Sequence, residues 1–264
     1  MLTIQGLGKT FNKGGVNERV ALNNISLTLN EGDFVTVIGG NGAGKSTLLN
    51  AIAGVFPIDN GSIVIDGTDV TRLPEHKRAK LLGRVFQDPM MGTASRMGID
   101  ENLALAMRRG GRRGLCWGVP VKEREGYRAT LGALGLGLEA RLTAKVGTLS
   151  GGQRQALTLI MATIKKPRLL LLDEHTAALD PHTAEKVMIA TDKIVRDNKL
   201  ITIMVTHNMK QALAYGNRLI MMDKGNVILD IPEGEKQRLS VEDLMEKFAQ
   251  ASGERLANDR VLLA

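Results

Sequence analysis

Three short runs of the chain gather residues suited to handling a phosphate. The first, GGNGAGKST, holds Gly39, Gly40, Asn41, Gly42, Ala43, Gly44, Lys45, Ser46 and Thr47 and follows the spacing G-x-x-x-x-G-K-[ST]. Glycines at this density let successive backbone N–H groups turn inward around phosphate oxygens, and a helix start adds partial positive charge. A helix terminus supplies only about 0.3–1 kcal/mol, so tight triphosphate binding needs the amide nest, the Lys45 ammonium and a Mg²⁺ held by the Ser46 hydroxyl to act together. The second run, RLLLLDE, ends an apolar strand pattern in Asp173 and Glu174, at the edge where parallel sheets bind ligands. Strand alternation sends the two carboxylates opposite ways, Asp173 toward a metal ion and Glu174 toward an attacking water. A positioned general base contributes about 10² to 10⁴ in rate. LITIMVTHN repeats the layout and puts His207 after a buried strand, able to reach a γ-phosphate. The third run, LSGGQ from Leu149 to Gln153, is a small polar turn with two glycines that enters a helix. A phosphate loop alone leaves the job open, because kinases, GTPases, helicases and transport ATPases all use one.

The surrounding sequence alternates strand and helix signals. ISLTLNEG points Ile25, Leu27 and Leu29 one way and Ser26 and Thr28 the other, and DFVTVIGG reads as a buried strand. The phosphate loop then opens a helix that Gly54 stops, and GSIVIDGTDV reads as a short strand pair. From about Gln87 to Lys166 strand patterns give way to helix-like segments such as DENLALAMRR and EREGYRATLGALG. RLLLLDE, PHTAEKVMIATDKIVRD and LITIMVTH then read as strand, amphipathic helix and strand. RLIMMDKGNVILDI follows as a hairpin turning at Lys224, Gly225 and Asn226. This is parallel-sheet order resumed after an insertion. SVEDLMEKFAQAS predicts one short amphipathic helix.

Composition narrows the classes. The chain has 264 residues, 43% of them apolar but only 3% aromatic, which predicts a globular core of Leu, Ile, Val, Ala and Met in one or two closely joined domains. The net charge of +7 suits a nucleic-acid binder, a neighbour of an anionic membrane or a basic soluble protein. Cys116 is the single cysteine, which excludes an intrachain disulfide and a paired-cysteine zinc site and predicts a reducing cytoplasm. The apolar runs fall short of the roughly 20 residues a membrane helix needs, and MLTIQGLGKTF lacks the pattern of a secretory signal. RRGGRRGLCWGVP reads as a solvated loop, or as a contact for an acidic partner or lipid headgroups.

From Phe11 to the hairpin near Ile231 the chain resembles the nucleotide-binding subunit of ABC transporters, the ATP-binding cassette family. Its LSGGQ matches the family signature without a substitution. The resemblance implies an α/β fold: a P-loop NTPase-type, mainly parallel sheet with an N-terminal antiparallel β subdomain and an inserted α-helical subdomain. It implies a single domain over 1–264, with 1–87 and 167–232 as ATP-binding core, 88–166 as the helical signature subdomain and 233–264 as a helical tail. ATP and Mg²⁺ are the implied cofactors. Two copies would pack head to tail, so that Ser150, Gly151, Gly152 and Gln153 of one face the γ-phosphate held by Lys45 of the other. Gln87 in VFQDPM corresponds to the glutamine that touches Mg²⁺, alongside Ser46 and Asp173. Phe11 stands where an aromatic stacks on adenine, which is the favoured reading, with a core Phe as the close alternative. Asp180 in AALD lies in the loop that crosses the dimer interface, and His207 is the switch histidine. His175 replaces a common Pro and Ala178 a common Ser, which puts the subfamily in doubt but removes no catalytic group.

The implied role is an ATPase on the cytoplasmic face of the membrane, peripheral to a separate permease. It is more in keeping with an importer, served by an extracytoplasmic solute-binding protein, than with an exporter, and an amino acid or similar small organic solute is the expected cargo. DPMMGTASRMGIDENL is the expected docking surface for the permease, with ordinary surface and core as the alternative. A non-transport cassette acting on ribosomes or nucleic acid is the competing reading, favoured by charge but opposed by the single cassette without coiled-coil arms. A small-molecule kinase would leave the signature turn unexplained.

Overall fold

Ten residues at the start of the chain, LTIQGLGKTF, form its first strand although their apolar positions do not alternate cleanly. The pairing slips between Ile4 and Leu7, between Leu7 and Lys9 and between Lys9 and Thr10, and Gly6 has φ 58°. Bulges of this kind break the period of two on which strand recognition depends. The computed structural model describes residues 1–111 and 118–252. The elements are β1 (Leu2–Phe11), β2 (Arg19–Leu29), β3 (Phe34–Ile38), α1 (Lys45–Ala53), β4 (Asn60–Ile65), β5 (Thr68–Asp69), α2 (Glu75–Arg78) and β6 (Leu82–Val85). Then come α3 (Ile99–Met107), α4 (Val121–Gly132), 3₁₀ turns at Glu139–Arg141 and Val146–Thr148, α5 (Gly151–Thr163), β7 (Leu169–Asp173) and α6 (Pro181–Asn198). The chain continues through β8 (Ile201–Val205), α7 (Met209–Ala214), β9 (Arg218–Asp223), β10 (Asn226–Pro232), α8 (Glu233–Lys236) and α9 (Val241–Ser252).

These elements fall into two compact units, 1–78 with 199–264, and 79–198. In the first, β2, β1, β4 and β5 form an antiparallel sheet in that order. Ile25, Leu27 and Leu29 of β2 are buried while Ser26 and Thr28 are exposed, as their alternation predicts. Every residue of β3 is buried, because β8 and β9 pair with it on either side in parallel. Its one polar member, Thr36, donates to the Ala212 carbonyl at 3.0 Å, which satisfies a hydroxyl that burial would otherwise make costly. The β9–β10 hairpin turns through Lys224 (φ 44°) and Gly225 (φ 81°), left-handed at both positions as a tight two-residue turn requires. The tail helix α9 adds Leu244, Met245 and Phe248 to a cluster with Ile38, Met221 and Ile231.

The second unit pairs β6 and β7 in parallel and carries the helical section, whose core gathers Ile99, Leu103, Tyr127, Leu131, Leu157 and Ile160. β6 is the other strand without a clear sequence signal, since LGRV is four residues long and includes Gly and Arg. Helix α6 buries Ala184, Val187, Met188, Thr191 and Val195, the spacing of one apolar stripe. Of the basic glycine-rich run, residues 112–117, including Cys116, lie outside the described residues. Its flanking arginines bond internally: Arg108 pairs with Glu123 at 3.2 Å, and Arg109 donates to the Ala162 carbonyl at 3.1 Å. Among the described residues, no helix is long and apolar enough to cross a membrane. A largely parallel sheet, an N-terminal antiparallel sheet and a helical section are the parts of the P-loop NTPase-type α/β fold that the sequence predicts.

Candidate nucleotide site

β3 delivers the phosphate loop. The strand ends at Ile38, and Gly39 follows at φ 151°, where a Cβ would lie 2.1 Å from the Met222 carbonyl oxygen. Gly44, at φ 102°, caps α1, and a Cβ there would lie 2.6 Å from the Ala21 carbonyl oxygen. Only glycine meets both demands. Three hydrogen bonds tie the loop down: Gly225 N–H to the Ala43 carbonyl at 3.0 Å, Ala43 N–H to the Gly40 carbonyl at 3.2 Å, and the Arg19 guanidinium to the Gly42 carbonyl at 2.8 Å. Arg19 is a site residue that sequence reading misses, because it sits directly opposite Phe11 across the β1–β2 pair, far in sequence from the loop it holds. The Lys45 ammonium, 8% exposed, donates to the Gly39 and Gly40 carbonyls at 2.6 and 3.1 Å.

This loop is chemically suited to an anion. The α1 N-terminus has no side-chain cap on its N-cap residue and no acidic residue in its first turn, so no carboxylate of that turn offsets its partial positive charge. Ser46 stands in that turn and is exposed. β8 pairs with β3 so that Val205 lies beside Val37, and His207 and Gly39 therefore follow two residues beyond paired positions at one sheet edge. His207 lies between Thr206, whose N–H donates to the Val37 carbonyl at 3.1 Å, and Asn208, whose side chain caps α7. Phe11 packs edge-on against Phe56 with centroids 5.2 Å apart, and the Lys9 ammonium lies 5.5 Å from each ring. Lys9 also pairs with Asp59 at 3.1 Å. The Thr10 N–H, and then Lys9, hold the Asp59 carboxyl below its usual range.

The second unit makes the same strand-edge arrangement. Val85 of β6 pairs with Leu172 of β7, so Gln87 and Glu174 each follow two residues beyond that pair. Gln155 donates to the Phe86 carbonyl at 3.0 Å and pins the exit of β6 to α5. Asp173 is half-buried and lies 3.8 Å from Arg84, whose guanidinium stacks 4.5 Å from the Phe86 ring. The strand alternation that the sequence suggests for Asp173 and Glu174 does not reach the second residue. β7 stops at Asp173, and Glu174 takes φ 43°, a left-handed backbone that non-glycine residues hold only where their surroundings impose it.

Ser150 caps α5, accepting from the Gln153 N–H at 3.2 Å while the Gln153 side chain accepts from the Ser150 N–H at 3.3 Å. No acidic residue stands in the first turn of α5, and Ser150 and Gly151 are exposed. Gly152 is buried, and a Cβ there would lie 1.9 Å from Thr183 Cγ2, so helix packing alone demands glycine. Asp180 accepts from the Thr183 N–H at 3.0 Å at the start of α6, and its bonds from Thr183 hold its carboxyl below the usual range.

A family model described as ABC transporter matches residues 22–177. The chain belongs to the ABC transporter family. The matched span includes the phosphate loop, Gln87, LSGGQ, Asp173 and Glu174, and leaves Phe11, Asp180 and His207 outside it. As a member of this family the chain is an ATP-binding subunit that hydrolyses ATP to power transport. It is 47% identical over 251 residues to a tyrosine transport ATP-binding protein of Clostridioides difficile (strain R20291), covering 95% of this chain and 100% of that one. It is 34% identical to the ABC transporter ATP-binding protein YxdL of Bacillus subtilis (strain 168), covering 98% and 96%. Among solved structures it resembles a dimeric ATP-binding cassette in a post-hydrolysis state with ADP and Pi, at 29% identity and a TM-score of 0.75, covering 88% of this chain and 99% of that one.

Proposed function

We propose that this ATPase drives import of an amino acid through a separate membrane permease, by closing as a dimer around ATP. The cargo class rests on its likeness, over nearly the whole chain, to a tyrosine transport ATP-binding protein. Closure rests on one observation: the exposed start of α5, where Ser150 and Gly151 carry an amide-rich helix end with no acidic residue in its first turn. Such an end stabilises an anion. In the closed pair Ser150, Gly151, Gly152 and Gln153 of one copy meet the γ-phosphate of the ATP that Gly39 to Thr47 of the other copy bind. Contacts that exist only with a γ-phosphate present bias the equilibrium toward closure, and hydrolysis removes that bias.

Phe11 stacks on the adenine, Lys45 neutralises phosphate charge, Glu174 takes a proton from the attacking water and His207 senses the γ-phosphate. Ser46, Gln87 and Asp173 would hold Mg²⁺, which when bound neutralises phosphate charge. Among the described residues no group of three or more His, Cys, Asp or Glu could hold a metal ion alone. That suits Mg²⁺, which binds through one or two side chains plus substrate phosphates. Asp180 reaches across the pair. In functional terms 1–87 and 167–232 form the ATP-binding core, 88–166 the signature subdomain and 233–264 the tail. The segment DPMMGTASRMGIDENL, where Met91 is 70% exposed, docks on the permease at the cytoplasmic face, and an extracytoplasmic binding protein supplies the solute. No nucleic acid takes part.

Glu174→Gln should bind ATP, accumulate as a dimer and turn over at least 100-fold more slowly, in line with loss of a general base; wild-type turnover would refute the assignment. Mixing Lys45→Ala with Ser150→Arg chains leaves at most one intact composite site per heterodimer, and full activity of either variant alone would overturn the crossed arrangement. Membrane extracts in mild detergent should yield the chain together with a multispanning protein. Ribosomes or nucleic acid in its place would overturn the transport reading.

A further inference from the structure

Glu174 occupies a left-handed backbone at φ 43° immediately after β7, a conformation that favours glycine over residues with a side chain. Something adjacent must impose it. One restraint is local, a turn in which the Ala177 N–H donates to the Glu174 carbonyl at 3.0 Å. Another comes from the next residue. The His175 ring is 2% exposed, and its Nε2 lies 3.2 Å from Oγ1 of Thr191, a residue of α6 that is wholly buried. The Thr191 hydroxyl donates its single proton to the Val187 carbonyl at 2.8 Å. Its oxygen must therefore accept from the imidazole, which assigns the proton to Nε2 of His175. A buried ring held by a directed bond has little freedom to rotate. The peptide joining it to Glu174 is held with it.

We propose that the buried bond from His175 to Thr191 is the device by which α6 positions Glu174, making His175 a positioning residue for hydrolysis. The inference rests on Glu174 being the general base. α6 begins at Pro181, directly after Asp180 in the loop proposed to cross between copies, so the same helix links that loop to the base. Pairing of two copies and orientation of the attacking water then share one rigid element.

Thr191→Val preserves volume and removes the hydroxyl, while His175→Phe preserves bulk and removes the N–H. In each, kcat should fall about tenfold or more, as misplacing a catalytic group does, with KM for ATP and the number of ATP sites within twofold of wild type. Thr191→Ser should restore kcat. A purely structural bond would lower the amount of folded protein and leave turnover per ATP site unchanged. Nitrogen-15 NMR of the intact chain should show His175 protonated at Nε2, with that resonance displaced in Thr191→Val. If Glu174→Gln is inactive and both other variants turn over like wild type, the positioning role is overturned and the base assignment survives. If Glu174→Gln turns over normally, the base assignment falls, and this inference with it.

Discussion

Ser150 and Gln153 cap each other across the first turn of α5, the serine hydroxyl accepting from the Gln153 N–H and the Gln153 side chain from the Ser150 N–H. Each therefore has a task in the single chain besides the one proposed across the dimer. Losing a serine cap costs about 1 kcal/mol, a small part of the roughly 5–15 kcal/mol that keeps a domain folded. Ser150→Ala should thus unfold at slightly lower urea concentration yet lose far more ATPase activity than that shift explains. Parallel urea titration and steady-state hydrolysis separate the two; equal, minor effects on both would leave the serine as a cap alone.

The two signature glycines should respond in opposite ways to alanine. At Gly151 an added Cβ meets only Leu179, at an ordinary 3.6 Å, and alanine favours a helix by about 1 kcal/mol. Gly151→Ala should fold as well as wild type, so any loss of hydrolysis reports close approach of a phosphate. Gly152→Ala drives a methyl into Thr183 Cγ2 and should destabilise by about 1–3 kcal/mol. Adding Thr183→Ser, which deletes that Cγ2, should recover most of it. Thermal melts of the single and double variants are the check.

Arg78 is a buried cation, 1% exposed, whose guanidinium donates to the carbonyls of Ala51, Ile52, Leu73 and Thr71 at 2.7–3.1 Å. It closes the C-terminal end of α1, the helix that the phosphate loop opens. Arg78→Met deprives all four carbonyls of that donor and should cost on the order of 3 kcal/mol. Guanidinium unfolding would show the change as a lower midpoint with an unchanged slope.

Burial pushes the His175 imidazole down to about 4 from its ordinary 6.5. The folded chain keeps the ring neutral while the unfolded chain protonates it, so stability is full above about pH 6.5 and is lost as pH falls toward 4. The loss amounts to roughly 3 kcal/mol once pH is below both values. His175→Phe lacks this term. The difference in unfolding free energy between the two proteins should change by about 2–3 kcal/mol between pH 7 and pH 4.5, with the wild type losing more.

Much of the site is legible in the sequence because its physics is local. The phosphate loop works through consecutive amides, the α5 cap through residues three apart, and β2 and the β9–β10 turn through alternation and left-handed positions within a few residues. Those patterns survive in any chain that carries them in order. β1 escapes because its bulges erase the period, and β6 because four mixed residues carry none.

The amino-acid order alone determined the family, the chemistry of the phosphate loop and the alternation of strands and helices, since each depends on near neighbours. Folding decided what joins distant residues: Arg19 against Gly42, Arg78 against four carbonyls, Gly152 under Thr183, and His175 against Thr191 sixteen positions away. It also decided the turn at Glu174. Contacts of this kind leave no periodic trace along the chain, because they exist only once burial has made an unpaired polar group or a misplaced methyl too costly to keep.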